Sequence, residues 1–443
     1  MNKTILLMTL IFSFSLKAFA NKEFFVDKTF NTKVHIGQLG LENSKSILLV
    51  HGLGTNAAKD WDPIKLELSK KFHLILIDLP GFGLSQKSPK PYTLENYAKL
   101  LSEILKKYSK NEKTTVIGHS LGGATTLKFA HSYSQLIDKV VLIDAAGILH
   151  RSVFVKHMSR LEKDSEASYP FKGIVDKIKG VANTISEVVI ETTDKYASLQ
   201  KILLATPSIR AKLVKDKSIL RAAISLIEED FTDATRFLEL PVLILWGEKD
   251  KVAPLRVGKL LDYHLKNSKL HIFNGIGHNP MAKVPKKVSS QIINWLENPI
   301  TDEKVILSKG DKIVECKNKN NQSLQGSYKK VTLKGCNNFN IKKSHIQKLV
   351  LRNSSVNLEN VTIQGSEIGI DLEESVLDAT NLLIEAETAL KINNSKMDLA
   401  GVEINASKKA IEHTGSSFIY WSVSRLKQAR STQKVLHQRK NYK

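Results

Sequence analysis

The chain has 443 residues, more than one compact core usually encloses, so two folded domains are expected. Hydrophobic residues make up 42% and charged residues 25%, an ordinary globular balance that excludes a disordered polymer or a bundle of membrane spans. The 66 Lys and Arg against 44 Asp and Glu leave a formal charge of +22, which favours anionic partners such as acidic lipids, polysaccharides or nucleic acid.

The first residues read as an export leader. Lys3 is followed by an apolar stretch from Thr4 to about Ser15, then by Ala18-Phe19-Ala20, an A-x-A cleavage pattern. Residues 1–20 are therefore expected to be a signal peptide, with the mature chain starting at Asn21 in a periplasm or outside the cell. The apolar stretch is too short for an anchor, and no later run has the length and apolarity of a transmembrane helix. Export makes nucleic acid the least expected anionic partner.

From Phe24 to Leu296, short apolar runs alternate with helix-period segments, the pattern of a mostly parallel sheet covered by helices on both faces. Strands are expected at residues 47–50, 74–77, 115–117, 140–143, 242–246 and 270–273, none showing polar alternation. Helices are expected at 94–107, 121–133, 255–265 and 286–296. The stretch from about 148 to 238 breaks the alternation and is helix-periodic in pieces such as 218–229. It reads as a helical cap inserted into a domain spanning 21–300.

After Pro299, Trp and Phe thin out, Asn and Ser multiply, and a period near 20 residues appears, with segments aligned from Ser355, Ser375 and Ser395. Pairs of short alternating runs follow each one, as in Val361-Thr362-Ile363, Leu382-Leu383-Ile384 and Val402-Glu403-Ile404. Residues 301–424 are therefore expected to form a β-helix-like or solenoid domain. Cys316 and Cys336 lie one repeat apart, so stacked coils about 4.8 Å apart would bring them within disulfide reach. Such a bridge would contribute roughly 3 kcal/mol. The final stretch, 425–443, carries seven Lys or Arg and no acidic residue; it is expected to be a disordered basic tail, with contact to an anionic surface as the sharper alternative.

The chemistry centres on Gly118-His119-Ser120-Leu121-Gly122, placed directly after the expected strand at 115–117. This is the G-x-S-x-G pattern of a nucleophile elbow, in which Gly118 and Gly122 leave room for the following helix to fold back on the strand. Serine needs a base and an orienting acid before it attacks. His278, in the glycine-rich loop after the last core strand, is the expected base. Asp250, just after the strand at 242–246, is the expected acid, with Asp144 at the end of the strand at 140–143 as its competitor. Backbone N–H groups of Leu53, in His51-Gly52-Leu53-Gly54, and of Leu121 are the expected oxyanion donors. His51 and Asp78 are expected to brace loops.

On these residues, with Asp78-Leu79-Pro80-Gly81-Phe82-Gly83 after the strand at 74–77, residues 24–298 resemble the α/β-hydrolase superfamily. The resemblance implies an α/β-hydrolase fold and hydrolysis of esters, thioesters, amides or some C–C bonds, with no metal and no organic cofactor. Haloalkane dehalogenases and epoxide hydrolases resemble this pattern too, but they carry Asp where this chain has Ser120. The leading expectation is an exported serine hydrolase of the carboxylesterase or lipase type, acting on a small-molecule or lipid ester. The alternative is a glycan- or envelope-polymer-binding β-helix protein whose hydrolase domain is incidental or inactive.

Overall fold

The computed structural model describes residues 23–150, 218–299, 308–365, 367–429 and 434–442. The expected leader, and the expected cap apart from its end, lie outside the described residues. Among the described residues, no helix is long and apolar enough to cross a membrane.

The first domain is built on an eight-stranded sheet. Two strands not anticipated from the sequence, β1 (Glu23–Asp27) and β2 (Thr32–Leu39), form its antiparallel margin. The expected strands follow as β3 (Ser46–Val50), β4 (His73–Ile77), β5 (Thr114–His119), β6 (Ile137–Ile143), β7 (Val242–Gly247) and β8 (Ser268–Phe273). The strand order is β1-β2-β4-β3-β5-β6-β7-β8, parallel from β4 onward. Strands β3, β4, β5 and β7 are buried along their whole length, which is why they lack polar alternation.

Helices cover both faces: α1 (Asp62–Ser69), α2 (Leu94–Tyr108), α3 (Leu121–Ser132), α4 (Ser218–Glu228), α5 (Thr232–Phe237), α6 (Leu255–His264), α7 (Pro280–Lys283) and α8 (Pro285–Glu297). Helix α2 shows how local sequence sets an element. Thr93 caps it by accepting the Asn96 N–H, and Leu94, Tyr97, Leu101, Ile104, Leu105 and Tyr108 form its buried stripe. Helix α4, at the end of the stretch expected to form a cap, is tied down through Arg221, which donates to the carbonyls of Ser88, Pro89 and Lys90.

The second domain is all-β; it opens with β9 (Ile313–Lys317) and β10 (Ser323–Lys334), includes the short β13 (Ile368–Glu373), and stacks its strands mostly in parallel, coil upon coil, as a solenoid-like array. The runs singled out above stack in register. Ile346, Ile363, Ile384 and Ile404 form one fully buried column through β11 (Phe339–Arg352), β12 (Ser355–Gln364), β14 (Val376–Asn393) and β15 (Lys396–Thr414). Asn360, Asn381 and Gly401 turn one corner with positive φ, and Asn353, Glu374 and Asn394 turn another. Beside that second corner, the N–H groups of Cys336, Ser354, Ser375 and Ser395 donate respectively to the hydroxyls of Ser354, Ser375, Ser395 and Ser417. The aligned repeat position is thus Ser354 rather than Ser355.

Cys316 and Cys336 are disulfide-bonded, with Cα atoms 6.7 Å apart. They are not stacked rungs: Cys316 pairs in register with Leu333, and Cys336 sits beyond it at the corner. The basic C-terminal stretch departs from the disordered tail expected. It forms β17 (Ser424–Gln428), β18 (Lys434–Leu436) and β19 (Arg439–Tyr442), because Leu436 and Tyr442 join the solenoid core.

The two domains share a packed boundary. Ala400 and Val423 of the second belong to a core cluster of the first. Ion pairs cross in both directions: Arg236 to Glu403 at 2.8 Å, Asp233 to Arg425 at 2.8 Å and Lys259 to Glu359 at 2.7 Å. The acidic middle coils therefore face basic side chains of α5 and α6.

Candidate active site

Parallel strands deliver their carboxyl ends to one edge of the sheet, and the loops there carry the polar groups singled out above. Between β5 and α3, Ser120 adopts φ 53° and ψ −115°, a strained conformation that lifts its side chain above the sheet edge. The two flanking glycines permit this turn. A Cβ on Gly118 would lie 2.2 Å from the Gly122 carbonyl oxygen, and one on Gly122 would lie 2.0 Å from that of Val50. The Ser120 N–H donates to the Ile143 carbonyl at 3.0 Å, locking the elbow to β6.

The loop after β8 brings His278 over Ser120, with Nε2 and Oγ 3.0 Å apart. On the far side of the ring, Nδ1 lies 2.7 Å from Asp250 Oδ2. The other Asp250 oxygen accepts the N–H groups of Val252 at 2.7 Å and Ala253 at 3.0 Å, so the carboxylate is held from both ends. Ser120, Asp250 and His278 are only 2%, 5% and 8% exposed. With the Nδ1 proton donated to the carboxylate, the Nε2 lone pair faces the serine hydroxyl, the arrangement a general base needs.

Asp144, the competing acid, is buried next door, where its Oδ1 accepts the Gly247 N–H at 2.8 Å. Burial, and then the nearby Asp250 charge, push its carboxyl well above the usual carboxylate range. Ligand-type atoms of Asp144, Asp250 and His278 lie within 4.8 Å of one another, a set that in principle offers a metal three ligands. The His278–Asp250 hydrogen bond brings two of the three together.

Leu121 opens α3, in the first turn whose N–H groups lack intrahelical partners, and Leu53 is buried in the loop after β3. His51 braces that loop: its Nδ1–H donates to the Gly52 carbonyl at 2.7 Å, and its Nε2 accepts the Leu79 N–H at 2.9 Å. Asp78 accepts the N–H groups of Ala58 at 2.8 Å and Leu84 at 2.9 Å, and lies 2.9 Å from His35 Nδ1. Sequence reasoning missed Asp60, which accepts the Gly52 N–H at 3.0 Å, and gave no separate role to His119, whose rings pack against His278. The signal for His119 lay inside the elbow motif; Asp60 had none.

A family profile described as "alpha/beta hydrolase fold" matches residues 45–283. An uncharacterized protein of Mycobacterium tuberculosis is 31% identical over 251 residues, covering 55% of this chain and 72% of the relative. Hydrolase YugF of Bacillus subtilis is 28% identical, covering 57% of this chain and 90% of the relative. Lipase 3 of a Moraxella species is 24% identical, covering 55% and 75%. By its profile match, by these relatives and by its strand order, the chain belongs to the alpha/beta hydrolase family.

Proposed function

We propose that this hydrolase cleaves an acyl ester with Ser120 as nucleophile, His278 as general base and Asp250 as the orienting acid. The observation that carries the reading is the unbroken chain of two buried hydrogen bonds, 2.7 Å and 3.0 Å, from Asp250 through His278 to Ser120. In the forward step, Ser120 Oγ attacks the ester carbonyl while its proton passes to His278 Nε2. The tetrahedral oxyanion is met by the Leu53 and Leu121 N–H groups. His278 then gives its proton to the departing alkoxide oxygen, leaving Ser120 acylated, and a water activated by the same nitrogen releases the acid. The likeness to a relative named as a lipase supports an ester substrate. The Cys316–Cys336 disulfide supports export to an oxidising compartment.

The test is hydrolysis of p-nitrophenyl esters of graded acyl length by the full chain and by Ser120→Ala. Loss of about 10⁶-fold in turnover is expected. Turnover surviving the substitution would sink the proposal.

A further inference from the structure

Beside the triad sits a second buried pair, and it spans the two loops the reaction uses. Asp60, on the short turn Ala57–Trp61, directs one oxygen, Oδ2, at two donors. The Gly52 N–H reaches it at 3.0 Å, and His119 Nδ1 lies 3.4 Å away. The opposite nitrogen of the same ring, Nε2, is 3.1 Å from the backbone carbonyl of His278. Gly52 begins the loop that offers the Leu53 N–H, and His278 is the base. We propose that Asp60 and His119 are positioning residues that tie the oxyanion loop to the His278 loop across Ser120, an inference that rests on the reading of the site as a serine hydrolase.

The packing leaves no slack in this tie. A Cβ on Gly52 would come within 3.0 Å of His119 Nδ1, 3.1 Å of Ser120 Cβ and 3.3 Å of Asp60 Oδ2. The protonation requirement is equally tight. Both neighbours of the His119 ring are oxygens that only accept, so the ring makes both contacts only when it carries both protons. Groups facing His119 are Asp60 from the turn before α1, Asp250 from the loop after β7, His278 from the loop after β8 and His51 from the loop after β3. Burial alone would drive the His119 proton off. The hydrogen bond and charge of Asp60, the His278 carbonyl and the Asp250 charge outweigh it and raise the His119 value. Burial likewise opposes the Asp60 charge, and His119 outweighs it, so Asp60 stays ionised lower than usual. The tie is therefore complete in the window between the two, and fails on the alkaline side as His119 loses its second proton.

Asp60→Asn tests this. The amide oxygen keeps the size and the acceptor but not the charge, so His119 holds its second proton less tightly. In the full chain, the decline of kcat with rising pH is expected to begin at least about one pH unit lower than in wild type. At pH 8, kcat is expected to drop by about 10-fold or more, with KM nearly constant, the signature of lost positioning rather than lost binding. A pH profile of the same shape as wild type overturns the proposal. Ser120→Ala, run alongside, separates this outcome from failure of the hydrolase reading. Should that variant keep turnover, histidine NMR of the wild-type chain still decides the tie: His119 titrating at or below about 6.5 overturns it.

Discussion

Arg256, on the first turn of α6 and six residues past Asp250, is grasped by Asp398 of the second domain. Its Nη1 lies 3.1 Å from Asp398 Oδ1, its Nη2 donates to the carbonyls of Ala379 at 2.6 Å and Asp398 at 3.2 Å, and its Nε donates to Thr380 Oγ1 at 2.5 Å. Helix α6 follows directly from the loop that holds Asp250. The solenoid-like domain is thus fastened to the segment that carries part of the candidate machinery.

Arg256→Met should therefore cost more than a surface ion pair. Asp398 has a side chain only 5% exposed, and removing its partner leaves a buried carboxylate and two carbonyls short of a donor. A loss of about 3 kcal/mol is expected. The wild-type chain should unfold in one cooperative transition in urea. Pulsed hydrogen exchange read in peptides from residues 323–428 would report the second domain, and far-ultraviolet circular dichroism would report chiefly the helices of the first. In the variant the midpoint should fall, and the two signals should separate. Coincident signals with an unmoved midpoint would mean that the domains merely touch.

Asp144 and Asp250 are expected to respond in opposite ways to the same substitution. Asp250→Asn should lower kcat by about 10⁴-fold, since the amide stabilises the wrong His278 tautomer. Asp144→Asn should retain most activity and raise stability near neutral pH. The sign follows from the raised carboxyl of Asp144. Its contribution to stability is full below the unfolded value of 3.8 and is lost as pH climbs toward the folded one. Melting temperatures measured from pH 4 to pH 8 should show the variant gaining on wild type as pH rises. Parallel curves would assign Asp144 an ordinary charge.

The disulfide should act chiefly on the first coils. Replacing Cys316 and Cys336 by Ala removes a bridge across a separation of 20 residues. A loss of roughly 3 kcal/mol is expected for the second domain. The measurement is the urea midpoint with and without reductant. Reductant should lower the wild-type midpoint to that of the double variant, and a wild-type midpoint indifferent to reductant would contradict the estimate.

Much of the first domain was legible because its signals are local. Gly118 and Gly122 are demanded by backbone contacts on either side of Ser120, so the elbow announces itself in five consecutive residues. The inner strands are legible because both of their faces are covered. Strand β1 was not, since Phe24 and Val26 point outward on an edge where alternation is short and ambiguous. Asp60 was hidden for a different reason. Its partners Gly52 and His119 are 8 and 59 residues away, and only the fold brings one carboxylate oxygen between them. The clasp between the domains was hidden likewise: Arg236, Arg256 and Lys259 look like ordinary solvated charges until the acidic coils are laid against them. In the solenoid, the buried columns were legible from period alone. The Ser354 rung was missed by one residue because the spacings to Ser375, Ser395 and Ser417 are unequal, at 21, 20 and 22.

The final strands reverse direction: β18 runs antiparallel to β17, and β19 antiparallel to β16 (Ser417–Ser422). A parallel stack has no intrinsic stopping point, since every coil presents the next with the same row of waiting N–H and C=O groups. By turning its last segments back on themselves, the chain spends those groups on its own backbone. It also lines the closing edge with lysine and arginine, including Lys434 and Lys440. Strands β18 and β19 thereby occupy edges that β16 and β17 would otherwise offer to a further coil, so what composition alone would class as a loose basic extension is part of the folded stack.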